Sequence, residues 1–175
     1  MMKAFKAAGL AVLFGMASSP AFAAEDYPDA YSGYEPAHDW TGFYAGVMGT
    51  GVMTSPDSLF GLGGIAGINA GFDFALIGAE IAVIGLRDTG TGVWQAQAQL
   101  LARGGMIVGD EVLIYGAGGY GAELTGTGET FGLFGGGIEV AFSETLSFRG
   151  QYLYANELSG GADQQQLSLS TLFHF

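Results

Sequence analysis

The sequence has 175 residues, no cysteine and a formal net charge of −12 at neutral pH, yet its mean hydropathy is positive at +0.34. The lack of cysteine excludes disulfides and thiolate chemistry, and the acidic excess argues against binding a phosphate backbone, which requires neutralising lysines and arginines. An apolar content of 49% argues against a disordered chain, because disorder requires low hydrophobicity.

Residues 1–23 are predicted to be a cleaved secretory signal peptide. Lys3 and Lys6 form a positive start, the apolar run "AAGLAVLFGMA" follows, and Ala21 and Ala23 complete an A-x-A cleavage pattern. The apolar run is too short to span a membrane as a helix. Cleavage would leave three arginines against seventeen acidic residues, a formal charge of −14.

Residues 24–39 are predicted to be an irregular acidic segment. The stretch "EDYPDAYSGYEPAHD" has five acids, two prolines and three tyrosines without any periodicity. A flexible spacer is the favoured interpretation, and contact with an envelope partner remains an alternative. His38 with Glu35 and Asp39 lacks a defined set of metal ligands, so we expect neither a metal nor a cofactor there.

The remaining part, 40–175, is predicted to be one β domain. Its alternating stretches are each near or above the ~9–11 residues of a tilted membrane strand. Loops rich in Gly, Ser, Thr and Asp alternate with tight joins near Phe74–Leu76, Gly109–Asp110 and Glu144. This pattern predicts an all-β, eight-stranded antiparallel up-and-down transmembrane β-barrel. The eight stretches are approximately 40–53, 61–74, 76–87, 93–108, 111–124, 130–143, 145–157 and 165–175.

The facing of the strands distinguishes a membrane barrel from a soluble one. Period-2 alternation alone also describes a soluble sandwich or barrel. Here the charges share one face, exemplified by Arg103, while the other face carries aromatics at both ends, exemplified by Trp94 and Phe148. Such aromatic girdles are typical of outer-membrane barrels. In the first strand, where small residues occupy both alternations, Phe43, Ala45 and Val47 are expected to face outward.

Two ion pairs are predicted inside the barrel. Glu139 and Arg149 lie five residues either side of a turn at Glu144, and Glu80 and Arg103 flank the loop near 90–92. Eight strands leave an interior just wide enough for side chains, so removing one partner would strand the other's charge. Interior acids, with Glu111 and Glu157 among them, would favour cations in any pore. The other polar residues assigned to the interior are Asn69, Asp73, Gln97, Tyr115, Glu123 and Gln151.

Two terminal motifs carry a family resemblance. "DWTGFYAGVMG" resembles the first strand of small porin-family outer-membrane barrels, the surface-antigen group of alphaproteobacteria with OmpA/OmpX-type barrels, and "LSLSTLFHF" is similar to their C-terminal signal. The resemblance implies that Phe173 and Phe175 form the signal read by the barrel-assembly machinery. Loops in that family are often longer, which weakens any transfer of ligand-binding roles.

The sequence favours a structural protein of the Gram-negative outer membrane, monomeric and surrounded by lipid and lipopolysaccharide, with no nucleic-acid partner. A narrow cation-leaning channel is one alternative. An envelope interaction module, using 24–39 or the short surface loops, is another. Catalysis is not expected, because acyl transfer needs a nucleophile, a base and an orienting group together, and neither His38 nor His174 lies near the outer rim.

Overall fold

The computed structural model describes residues 38–53, 58–125, 128–158 and 162–175, which form a closed barrel of eight antiparallel strands in chain order. The predicted fold class is confirmed, and the strands match the predicted stretches to within three residues. Within these ranges no helix is long and apolar enough to cross a membrane. The predicted signal peptide and residues 24–37 lie outside them. The strands are β1 Gly42–Met53, β2 Ser58–Phe72, β3 Ala75–Asp88, β4 Trp94–Val108, β5 Val112–Glu123, β6 Thr130–Ala141, β7 Leu146–Glu157 and β8 Gln164–His174.

The connections differ at the two ends of the barrel. At one end, which we call the join end, β2–β3, β4–β5 and β6–β7 are linked by residues 73–74, 109–111 and 142–145. The other four connections, of four to six residues each, lie at the opposite end, which we call the loop end. Asp73 and Asp110 take left-handed backbone conformations, with φ of 51° and 61°, which aspartate tolerates in turns. The expectation that Asp73 and Glu111 lie in the interior is wrong. Both are exposed in these joins, because the strand alternation stops before it reaches them.

Alternation along each strand places apolar side chains outside and polar ones inside. Leu62 and Leu169 are 77% and 71% exposed on the outer face, whereas Arg103 and Gln151 are buried in the interior. Because successive side chains in a strand point to opposite faces, one register choice fixes the whole strand. The facing expected for β4 to β7 is observed, and Phe43 and Val47 of β1 face outward as favoured.

The interior is filled by side chains from opposite walls. One apolar cluster joins β1, β2, β3 and β8, a second joins β4, β6 and β7, and a third lies toward the join end. Ile84, Leu113, Leu153 and Leu172, which belong to these clusters, have no accessible surface. A packed interior is what an eight-stranded barrel accommodates.

The closure of the barrel brings the last strand against the first. Tyr44 of β1 lies opposite His174 of β8, and the backbone N–H of Phe175 donates to the carbonyl of Phe43 at 2.9 Å. The Phe175 ring is 76% exposed on the outer face and packs edge-on against Phe173. The final residue therefore extends the seam between the two ends of the chain.

Candidate functional site in the barrel interior

Four charged side chains from four strands meet in the interior, at 0–4% exposure. Glu80 lies on β3, Arg103 on β4, Glu139 on β6 and Arg149 on β7. The structure places Glu139 directly opposite Arg149, as the spacing around Glu144 predicts. Arg103 lies opposite Gly78 instead, so it reaches Glu80 diagonally across the β3–β4 pair.

The four charges form a single network rather than two separate pairs. Oε2 of Glu139 accepts hydrogen bonds of 3.0 Å from Nη2 of Arg103 and from Nε of Arg149. Oε2 of Glu80 accepts from Nη1 of Arg103 at 3.4 Å and from Nη1 of Arg149. Each carboxylate thus bridges both arginines, and the network is formally neutral. We call these four residues the charge cluster.

Two tyrosines enclose the arginines of the charge cluster. Cζ of Arg103 lies 5.3 Å from the ring centre of Tyr44 and 4.3 Å from that of Tyr115, and Arg149 lies at 5.2 and 5.6 Å from the same rings. Such distances are within the range of cation–π attraction. The Tyr44 hydroxyl donates to Glu80 at 2.7 Å and accepts from Arg103 at 3.1 Å. The Tyr115 hydroxyl donates to Gln151 at 2.6 Å.

Each tyrosine lies over a glycine on the neighbouring strand. A Cβ added to Gly67, opposite Tyr44, would stand 2.3 Å from the Tyr44 hydroxyl oxygen. A Cβ on Gly137, opposite Tyr115, would stand 2.7 Å from that hydroxyl. The two glycines thus make the room that the rings occupy. Sequence reasoning named Tyr115 but missed Tyr44, although outward Phe43 implies an inward Tyr44.

The other oxygen of Glu139 is held at the join end. Oε1 accepts a hydrogen bond of 2.7 Å from Oγ of Ser147 and lies 3.1 Å from Nε2 of His174, and that same nitrogen lies 3.0 Å from Ser147 Oγ. A catalytic histidine would instead contact the nucleophile through one ring nitrogen and the orienting acid through the other. Ser147 and Glu139 have no accessible surface, so this arrangement braces the charge cluster and offers no entry for a substrate.

His38 belongs to the barrel and not to a solvated tail, which corrects the expectation from the acidic segment. It is 2% exposed, and its ring meets those of Trp40 and His174 edge-on, with ring centres 4.5 Å apart in both pairs. Nδ1 of His38 bonds the carbonyl of Ser143 at 2.8 Å, and the Trp40 indole donates to the carbonyl of Asp110 at 3.0 Å. Burial lowers the pKa of His38 below its ordinary value, so the neutral ring is favoured. The packed rings of His38, Trp40 and His174 therefore close the join end. The acidic composition around His38 did not predict this packing.

A second polar layer lies in the interior toward the loop end. Nε2 of Gln99 donates to Gln166 at 2.7 Å and to Gln97 at 3.2 Å, while Gln166 donates to Ser168 at 3.1 Å. Thr50 and Ser168 share a hydrogen bond of 2.9 Å. Of these residues, the sequence analysis named only Gln97 as an interior residue. The same strand alternation also places the other four in the interior.

The structure also places the remaining sequence-selected residues. Asn69 is buried on β2 at 3% exposure, opposite Gly78, which in turn lies opposite Arg103. Glu157 is buried on β7 near the loop end. Glu123 faces inward at the end of β5 and is partly buried. The described residues contain no group of three acids or histidines arranged to hold a metal ion.

Taken together, the fold and the interior define a closed eight-stranded β-barrel with its apolar face outward, the architecture of bacterial outer-membrane barrels. Neither a protein-family model nor a curated protein matches the sequence. Solved structures do match.

Three similar structures share this fold at low sequence identity. Ail, the attachment invasion locus protein of Yersinia pestis, matches with a TM-score of 0.58 and 11% identity, over 77% of this chain and 97% of Ail. The N-terminal barrel domain of Pseudomonas aeruginosa OprF matches with a TM-score of 0.52 and 15% identity, over 74% and 97%. Neisserial surface protein A matches with a TM-score of 0.52 and 14% identity, over 77% and 98%. At these identities the likeness concerns the fold.

Proposed function

We propose that this protein is a structural, non-conducting β-barrel of the bacterial outer membrane. The observation that carries the proposal is the distribution of apolar and charged side chains. Large apolar residues are exposed on all eight strands, while the charge cluster is sealed inside. A water-soluble protein rarely exposes contiguous apolar surface of this extent, whereas lipid would solvate it.

The charge cluster supports the non-conducting part of the proposal. Its two arginines and two carboxylates neutralise one another as one network, and the enclosing Tyr44 and Tyr115 are 1% and 4% exposed. An ion on the barrel axis would have to displace Tyr44, Tyr115 or an arginine that is already paired. The cation-leaning channel is therefore the weaker alternative.

The same proposal has three further parts. The protein is monomeric, and lipid and lipopolysaccharide surround its apolar face. The assembly machinery recognises Phe173 and Phe175. The exposed, aromatic end of β8 supports the last of these, because it presents both rings on the outer face. The interaction-module alternative depends on residues 24–39, most of which lie outside the described ranges, or on the short surface loops.

The test is refolding of the mature chain into lipid vesicles, density flotation to establish insertion, and single-channel recording from the same preparation. We expect protein that floats with the vesicles and gives no discrete current steps. Protein that stays in the aqueous fraction would refute the membrane assignment. Inserted protein with reproducible steps would refute the sealed interior and favour the channel.

A further inference from the structure

Arg87 lies outside the charge cluster, unlike the other two arginines of the chain. It lies near the loop end of β3 with its side chain on the exposed outer face, directly between Phe60 of β2 and Trp94 of β4 in the strand register. Its Cζ lies 5.9 Å from the centre of the Trp94 ring. The salt bridges among the described residues all involve the charge cluster, so Arg87 pairs with no carboxylate there.

The neighbouring carboxylate is engaged elsewhere. Oδ1 of Asp88 accepts hydrogen bonds of 2.7 Å from the backbone N–H groups of Gly90 and Thr91, so the Asp88 carboxylate points toward the loop between β3 and β4. The Arg87 guanidinium extends beneath the same loop, where a Cβ added to Gly92 would lie 3.8 Å from its Nη2. Arg87 is thus an outward-facing cation at the aromatic rim of the barrel, without a carboxylate partner in the part of the chain that the structure describes.

A groove of about 670 Å³ begins at this cation on the outer face of β2, β3 and β4. Phe60, Leu62 and Trp94 form its sides, and Gly85 lies on its floor. Gly85 stands opposite Leu62 on one side and Ala96 on the other. The lack of a side chain at Gly85 opens an apolar depression that runs from Arg87 toward the middle of the strands.

We propose that this groove binds one lipid with an anionic phosphate headgroup, its phosphate on Arg87 and an acyl chain over Gly85. The planar guanidinium fork matches phosphate oxygens, and Trp94 is the type of residue that lies at a membrane interface. The charge complementarity is local, because the mature chain otherwise has a large acidic excess that repels anions. The proposal rests on the proposed function, since it takes the outer face to lie in lipid.

Quenching of Trp94 fluorescence by brominated lipids tests the site. The refolded mature chain is placed in phosphatidylcholine vesicles that contain either brominated phosphatidylglycerol or brominated phosphatidylcholine at the same mole fraction. Trp94 is 67% exposed and Trp40 is 4% exposed, and a Trp94→Phe variant measures the Trp40 signal to be subtracted. We expect about fivefold enrichment of the anionic lipid at Trp94, the scale of one interfacial cation.

Two substitutions separate the headgroup from the acyl chain. Arg87→Gln should abolish the preference for the anionic lipid, and Arg87→Lys should retain part of it. Gly85→Val should reduce quenching by both lipids, because it fills the groove. Gly116→Val is the matched control on the outer face of β5, since a Cβ at either glycine meets a backbone oxygen at 3.8 Å. This control should behave as wild type.

Three results would overturn the assignment. Equal quenching by the two lipids in the wild type, or a preference that survives Arg87→Gln, would show that no anionic lipid is selected by this arginine. Loss of the preference on adding millimolar inorganic phosphate would assign the site to free phosphate. Absence of quenching by either lipid would refute the proposed function as well, which distinguishes that failure from failure of the lipid site alone.

Discussion

The charge cluster predicts a specific pattern of stability in a double-mutant cycle. In the wild type two arginines face two carboxylates, so the buried charge sums to zero. Glu139→Gln leaves two arginines against Glu80, and Arg149→Met leaves two carboxylates against Arg103. Each single variant therefore buries an uncompensated charge, whereas the double variant returns to one carboxylate and one arginine.

The expected magnitude follows from the burial. The four side chains are at most 3% exposed, and breaking a buried pair costs about 3–5 kcal/mol because the remaining charge is left unpaired. We expect a loss of about 3 kcal/mol in the free energy of unfolding for each single variant, because Gln and Met keep much of the packing. The double variant should also lose about 3 kcal/mol, rather than the roughly 6 kcal/mol of two independent sites.

Urea unfolding in detergent micelles, followed by tryptophan fluorescence, measures the cycle. Glu144→Gln is the control, because that carboxylate is exposed in the 142–145 join and its loss should change the stability by no more than about 0.5 kcal/mol. If the losses of the two single variants add in the double variant to within about 0.5 kcal/mol, the residues do not share one network and the reasoning fails.

Three further predictions concern other parts of the barrel. Gly67→Ala should destabilise the refolded protein in the same urea assay, because its Cβ would strike the tyrosine hydroxyl, whereas Gly64→Ala, with nothing within 4 Å, should not; equal effects would contradict the packing described. Burial lowers the pKa of His38. The stability that the buried, neutral His38 ring contributes should therefore be complete above about pH 6.5, the pKa of the unfolded chain, and be lost as the pH falls through the lowered pKa of the folded state. A His38→Gln variant whose stability depends on pH in the same way as the wild type would contradict this. Deleting Phe175 should slow insertion into the outer membrane in cells more than Phe142→Ala, another aromatic exposed at the join end; equal insertion rates in a pulse-chase experiment would argue against a terminal signal.

The sequence alone predicted the facing of side chains and the ion pair across a short connection, because both depend on strand periodicity. The alternation that places Trp94 outside and Arg103 inside is a local property of an extended chain, and the pairing of Glu139 with Arg149 follows from a short connection between consecutive strands. The failure at Asp73 has the same origin, because alternation gives no information beyond the residue where a strand ends.

Contacts between non-consecutive strands could not be predicted in this way. Arg103 and Glu139 lie on β4 and β6, and they meet because of the curvature and radius of the closed barrel, which no sequence spacing encodes. The burial of His38 was missed for a related reason. Its neighbours in sequence are mostly acidic and irregular, whereas two of its contacts, His174 and Ser143, lie more than 100 residues later in the chain.

The placement of the network explains how a barrel with so polar an interior favours one closed state. Tyr44 of β1 binds Glu80 and Arg103, and His174 of β8 contacts Glu139 and the Tyr44 ring. These contacts join the first and last strands to the charge cluster, and the Tyr44–His174 contact forms only when β1 and β8 pair. In an open sheet Glu139 would keep Arg149 and Glu80 would keep Arg103, because these pairs lie on neighbouring strands, but the contacts of Arg103 with Glu139 and of Arg149 with Glu80 would be lost. Closure of the seam therefore completes the network, and because a partly paired charge is costly to bury, the buried polar groups favour the closed barrel over a partly open one.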